Sequence, residues 1–327
     1  MSNIEDNQNQ SGDSDMNKDI INRLVFSSLN EQRRTRRWSI FFKFLTFALL
    51  FGYLAIFMAA LSKNDSMAKL GKDGPHTALI NIQGVISSST EANADNIISG
   101  LREAFKNKNT KGIILRINSP GGSPVQSGYI NDEIHRLREK NKDIPVYAVI
   151  VDVCASGGYY IASAADKIYA DKASIVGSIG VLMNGFGFVD TMKKIGVERR
   201  LYTAGANKGF LDPFTPAKKE DIKHIEKMLG SIHQQFINVV KKGRGDRLKD
   251  SPNLYSGYVW TGEQSVAMGL VDGLGSSSYV AREIIKAEEI VDFTPKPSYL
   301  DQFAKQFGAS FGATISSALG LNSVELR

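Results

Sequence analysis

From residue 77 onward, short apolar runs alternate with stretches of helical spacing. Residues 77–86 predict a strand, and Ile97, Ile98, Leu101 and Phe105 recur at helical spacing over 92–105. A second apolar strand over 112–117 runs into Ser119-Pro120-Gly121-Gly122. A helix over 124–139 follows, with Ile130, Ile134 and Leu137 on one face. The pattern repeats with a strand at 146–151, a helix opened by Ser156 and running to 165, and a strand at 167–170. Further on, 200–203 is strand-like and 216–242 reads as one long helix. Shorter helices are predicted over 262–268 and 277–287. This alternation predicts an α/β architecture. Twice, at 112–125 and 146–161, a strand enters a glycine-bearing turn and then a helix, the place where open α/β sheets gather function.

The N-terminal pattern is different. Residues 1–29 are rich in Asn, Asp and Ser, a composition that cannot bury a core and predicts disorder. Arg33, Arg34, Arg36 and Arg37 then precede an apolar run over 38–61, interrupted only by Lys43. At about 1.5 Å per residue, the run spans the roughly 30 Å hydrocarbon core of a bilayer. Lys43 can snorkel to the interface beside Trp38. Four arginines before the run, against Lys63 and Asp65 after it, predict a cytoplasmic N-terminus and an α/β body on the outer side of the membrane. The run is longer than the apolar core of a signal peptide and starts far from Met1, which favours an uncleaved anchor. The expected organisation is a tail over 1–37, an anchor over 38–61 and a linker over 62–76. An α/β domain over 77–290 and a C-terminal extension over 291–327 complete it. In that extension Leu300, Phe303, Phe307, Phe311, Ile315 and Leu319 form an apolar stripe, expected to pack as a helix on the body or on another subunit.

Composition adds little to this. The net charge of +6 is largely the anchor's arginine flank and needs no nucleic-acid partner. The basic cluster Lys241-Lys242-Gly243-Arg244 reads as a solvated helix end, where cations suit the dipole. Cys154 is the single cysteine, so no intrachain disulfide forms, and it reads as a small buried apolar residue.

Candidate chemistry centres on Ser156. A serine hydroxyl is a poor nucleophile near neutral pH and needs a base, and no histidine follows until His224. His76 is expected in the linker, His135 on a polar helix, and His224 and His233 on the long helix, all as surface residues in no triad or metal pattern. No metal and no cofactor is therefore expected. The strand-to-helix turn presents Ser156, and Gly157 offers an unobstructed amide. The Pro120-Gly121-Gly122 turn can supply a second amide, and two such donors make an oxyanion hole.

Several ordered blocks carry a family resemblance. They read Ala-Ser-Gly-Gly-Tyr-Tyr-Ile-Ala at 155–162, Ala-Asp-Lys-Ile-Tyr-Ala at 165–170, Gly-Ser-Ile-Gly-Val at 177–181 and Ala-Gly-Ala-Asn-Lys at 204–208. Together they resemble the SppA signal peptide peptidases, in the short bacterial form with one membrane anchor. The resemblance covers roughly residues 75–290 and implies a Clp/crotonase-like fold. Ile117-Asn118-Ser119-Pro120-Gly121-Gly122 is similar to the Clp oxyanion segment. The resemblance makes Ser156 the nucleophile and Lys208 the general base. Ser178 would bond the lysine amine, and the Gly122 and Gly157 amides would form the oxyanion hole. Where the Clp branch carries its histidine base this chain has Val181, which favours a Ser-Lys dyad. A lysine is ordinarily charged near neutral pH, so a base lysine needs burial or a nearby cation. The resemblance also implies a homo-oligomer in which the dyad is completed between subunits. The implied function is a serine endopeptidase of the bacterial cytoplasmic membrane that cleaves residual signal peptides and other apolar peptides. A Ser-Lys protease clipping one membrane partner, a crotonase-like coenzyme A thioester enzyme and an inactive scaffold are the other readings.

Overall fold

The computed structural model describes residues 34–56, 74–249 and 251–295. Of the expected tail over 1–37, residues 1–33 lie outside the described residues and 34–37 are the first turn of a helix; the apolar stripe over 300–319 and most of the linker also lie outside. The chain divides into two compact units, Met1–Leu70 and Gly71–Arg327. In the first, α1 (Arg34–Ile56) is a helix long and apolar enough to cross a membrane.

The second unit is built on one eight-stranded sheet, and its α/β architecture matches the alternation of the sequence. Its strands are β1 (His76–Gln83), β2 (Thr110–Ser119), β3 (Val146–Ala155), β4 (Lys167–Ala170), β5 (Ile175–Gly177), β6 (Val259–Thr261), β7 (Gly273–Leu274) and β8 (Ile290–Asp292). The main path runs β6-β5-β3-β2-β1-β8, with β4 and β7 extending from β3. All pairs are parallel except β5–β6. β2 is central and buried on both faces, so Ile113, Ile114, Leu115 and Ile117 follow one another with little polar alternation. β3 forks: Tyr147–Ile150 pair with β4, and Val153–Ala155 pair with β5.

Helices cover the sheet. α2 (Ala94–Lys106) buries Ile97, Leu101, Ala104 and Phe105, and Asn93 caps it by accepting the Asn96 amide at 2.8 Å. α3 (Pro124–Lys140) starts with proline at its first turn and buries Ile130, Ile134 and Leu137. α4 (Gly157–Ala162) is a buried six-residue helix, anchored where the Tyr159 hydroxyl donates to the Leu270 carbonyl at 2.8 Å. The short α5 (Val189–Lys194) buries nothing. The 26-residue α6 (Lys219–Arg244) buries Ile225, Phe236, Val240 and Arg244 but leaves Ile222 and Met228 exposed. α7 (Gly262–Ala267) opens on a capping box between Thr261 and Gln264. Over 277–287 the expected helix is a three-residue turn, α8 (Ser277–Tyr279), running into a π-helical turn, Val280–Ile285.

Three expectations are corrected. Residues 200–203 form no strand: they are exposed and pair with no neighbouring strand, so their β-branched and aromatic content has no ladder to join. His76 is neither linker nor surface. It is fully buried as the first residue of β1, stacked on Phe293, with its ring nitrogens against the Gly74 carbonyl (2.7 Å) and Thr110 Oγ1 (3.3 Å). Arg244 is not a solvated helix end. It is 1% exposed, with Nη1 on Asp272 Oδ2 at 2.7 Å and Nε on the Gly269 carbonyl at 2.9 Å. A charge buried this deeply persists only because those partners replace water.

Candidate active site

Ser156 stands at the junction of β3 and α4. Its amide donates to the Gly177 carbonyl at 2.9 Å, extending the β3–β5 ladder by one bond, and its carbonyl accepts the Tyr160 amide that begins α4. The chain must turn sharply from strand to helix here, and Ser156 adopts φ 51°, ψ −119°. A non-glycine residue with positive φ is strained by its Cβ, and such strain gathers at functional turns. The strand-to-helix serine elbow of other hydrolases has this character. Among the described residues, Ser156 Oγ makes no hydrogen bond, so the hydroxyl is presented rather than used structurally.

The glycine turn after β2 lies against this elbow. A Cβ built on Gly121 would stand 2.7 Å from Ser156 Cβ and 2.8 Å from the Gly157 nitrogen, so only glycine permits the approach. A Cβ on Gly157 would stand 3.3 Å from the Gly122 nitrogen and 2.5 Å from Ser127 Oγ. The Gly122 and Gly157 amides are therefore neighbours flanking Ser156. Among the described residues neither donates to a protein acceptor. The turn is fixed from below, where buried Ser119 Oγ donates to the Gly84 carbonyl at 2.6 Å and accepts the Gly121 amide at 3.1 Å. It is fixed from the side by a parallel bridge between Ile86 and Gly122.

Ser178 follows the Gly177 that binds Ser156, which brings the two serines side by side at the end of the β3–β5 pair. It too has positive φ, 50°, and its amide donates to the Tyr258 carbonyl at 2.7 Å. Among the described residues, Lys208 makes no hydrogen bond to this cluster. It lies exposed in a turn over 204–209, its amide donating to the Gly205 carbonyl, and its ammonium group has no partner among the described residues. Its turn belongs to an excursion between β5 and α6 that packs mainly on itself. Phe188 stacks on Phe214 at 5.5 Å and Arg199 lies over the Phe214 ring. The same excursion leaves Leu182, Phe186 and Tyr202 79%, 82% and 88% exposed.

Among the described residues no histidine ring bonds Ser156, and no group of three His, Cys, Asp or Glu side chains is placed to hold a metal ion. His233 is half-buried, its Nε2 3.1 Å from the Ile179 carbonyl, so it props the strand end after Ser178. Cys154 is buried under the elbow, and burial pushes its thiol pKa up, keeping it inert. The sequence does not single out Ser127 or Tyr258, and His233, expected on the surface, is instead half-buried against the Ile179 carbonyl. Each contributes a backbone contact or a steric stop across elements, and no local motif signals such roles.

The pattern describing Peptidase family S49 matches residues 138–291. The chain is 50% identical over 175 residues to a Brucella melitensis protein named Na(+)/H(+) antiporter NhaA, a match that covers 54% of this chain and 24% of that protein. It is 31% identical over 253 residues to an Enterococcus faecium protein assigned as signal peptide peptidase SppA, covering 75% of this chain and 73% of the relative. It is also 30% identical to an assigned protease of Methanocaldococcus jannaschii, over 68% of this chain and 70% of the relative. The chain thus spans about a quarter of the Brucella relative and most of the other two. With the Clp/crotonase-like sheet and the serine elbow in place, the chain belongs to peptidase family S49.

Proposed function

We propose that this chain is a membrane-anchored serine endopeptidase that cleaves apolar peptides, residual signal peptides among them, with Ser156 as nucleophile and Lys208 as general base. One observation carries the reading. Among the described residues, Ser156 in its strained backbone has a hydroxyl with no hydrogen bond, and the nearby amides of Gly122 and Gly157 donate to no protein acceptor. Such an arrangement accepts the charge that develops on a carbonyl oxygen under attack. Ser156 Oγ forms a bond to the peptide carbonyl carbon and gives its proton to the neutral Lys208 amine. The carbonyl oxygen becomes the oxyanion held by the two amides. Lys208 then protonates the leaving amine, and water releases the acyl group, with Lys208 again taking the proton. Ser178, beside Ser156, orients the lysine amine.

Lys208 reaches this site from a second copy of the chain. Its exposure within one chain, and the exposed apolar side chains of the same excursion, fit an interface that buries both. Burial at that interface would also favour the neutral amine that a base requires. Residues 38–61 anchor the enzyme in the bacterial cytoplasmic membrane. The arginine flank keeps the N-terminus cytoplasmic and the catalytic domain outside. Sodium–proton exchange is not carried over from the Brucella relative's name, because the match covers only 24% of that protein.

The test is mass-spectrometric mapping of a fluorophosphonate adduct on the assembled wild type and on Lys208→Ala. The expected result is an adduct on Ser156 in the wild type and none in the variant. Equal labelling of both, or none of the wild type, would overturn the reading.

A further inference from the structure

The β2–β3 register slips beside the elbow. Ile117 faces Ile150, yet Ser119 faces Cys154, so two steps along β2 answer four along β3. Val151, Asp152 and Val153 bulge out of the ladder there, and such bulges re-aim the chain that follows. Asn118 closes the gap with its side chain. Its Oδ1 accepts the Val153 amide at 3.2 Å and its Nδ2 donates to Asp152 Oδ2 at 2.8 Å. Its backbone carbonyl accepts the Gly84 amide at 2.9 Å, so three strand ends meet at this residue. Gly122 lies four residues beyond Asn118, and Ser156 lies four residues beyond Asp152. The two arms of the site leave the same clasp.

We propose that the Asn118–Asp152 clasp fixes the spacing between the oxyanion amide of Gly122 and the nucleophile Ser156. Asn118 is then a positioning residue for acyl transfer that does not itself touch substrate. The inference rests on the reading of Ser156 and Gly122 given above. Asp152 is exposed and Asn118 half-exposed, so the clasp contributes little to global stability. Its effect falls on alignment, where a displacement of about one ångström can slow the reaction by up to about a hundredfold.

The test uses the full-length assembled enzyme and the variants Asn118→Asp, Asp152→Asn and the double exchange. Asn118→Asp keeps an acceptor for the Val153 amide but sets two carboxylates against each other. The double exchange restores a donor and acceptor with the direction reversed, Asn at 152 donating to Asp at 118. The measurements are kcat and KM on a fluorogenic apolar peptide, inhibition by a peptide aldehyde, and thermal unfolding. In the aldehyde adduct the hemiacetal oxygen occupies the oxyanion hole. For Asn118→Asp we expect kcat and aldehyde affinity both to fall roughly tenfold, with KM and the unfolding midpoint little changed. The double exchange should regain most of the loss. Wild-type kcat in Asn118→Asp would overturn the proposal. So would a loss that tracks the unfolding midpoint and spares aldehyde binding. Should Asn118→Asp fail to fold, Asp152→Ala at the exposed end of the clasp carries the same two readouts. A wild type inert toward both peptide and aldehyde would sink the peptidase reading itself.

Discussion

Replacing Gly157 by alanine separates packing from chemistry at the elbow. The new methyl would stand 2.5 Å from Ser127 Oγ, a buried hydroxyl held by donation to the Ser123 carbonyl at 3.0 Å. Carbon and oxygen do not approach that closely, and overpacking of this kind costs about 1–3 kcal/mol. Removing the hydroxyl in Ser127→Ala costs about 1 kcal/mol on its own for the lost hydrogen bond. In the double variant the 2.5 Å contact is gone, and the nearest remaining atom is the Gly122 nitrogen at 3.3 Å. Stability should therefore recover to within about 1 kcal/mol of Ser127→Ala alone. On the proposed reading activity should not recover, because the methyl still stands 3.3 Å from the Gly122 nitrogen, whose amide would hold the oxyanion. Loss of one such donor lowers kcat by about 10²–10³. Urea denaturation and kcat on a fluorogenic peptide read the two effects separately. A double variant that folds and turns over at the wild-type rate would refute the assignment of these two amides.

Other outcomes follow from the same geometry. Lys208→Arg keeps the charge but cannot supply a neutral base, so peptide cleavage should vanish while the assembly, read by light scattering, persists. Arg244→Met strands the Asp272 carboxylate with Arg247 at 3.4 Å as its remaining cation, and unfolding free energy in urea should drop by about 3 kcal/mol. A drop below about 1 kcal/mol would show the pair to be dispensable. Glu133 accepts hydrogen bonds from Arg136 and Arg102, which together overcome burial and hold its pKa at about 2. Its folded pKa is depressed, so its contribution is complete above pH 4.5 and drains as pH falls toward about 2. The shift would correspond to about 3 kcal/mol, but the arginines are largely exposed, and screening reduces this to about 1–2 kcal/mol. Glu133→Gln should flatten that part of the acid stability profile; an unchanged slope would contradict the assignment.

The elbow was legible because both halves are local signals. A strand running into glycines and then a helix marks Ser156–Gly157 and Gly121–Gly122 without knowledge of anything distant. Their convergence follows from the adjacency of β2 and β3, which parallel α/β topology favours. Lys208 carries no local signal at all, and only the resemblance singled it out; the role proposed for it depends on a surface outside its own chain. The remaining surprises share a cause in long-range partners. Arg244 is buried because Asp272 meets it from another element, His76 because Thr110 and Phe293 close over β1. Residues 200–203 have strand-like content but no adjacent edge. Asn118 acts through a register slip, and no pattern of hydrophobic and polar residues encodes where a parallel ladder will skip.

Mixed assembly tests most directly whether Ser156 of one copy works with Lys208 of another. Ser156→Ala and Lys208→Ala are each expected to be inactive alone. Co-expressed in equal amounts, roughly a quarter of head-to-tail junctions would join an intact serine to an intact lysine. The account predicts that the mixed assembly regains peptide cleavage near that fraction of the wild-type rate. Co-assembled variants that stay as inactive together as apart would contradict it.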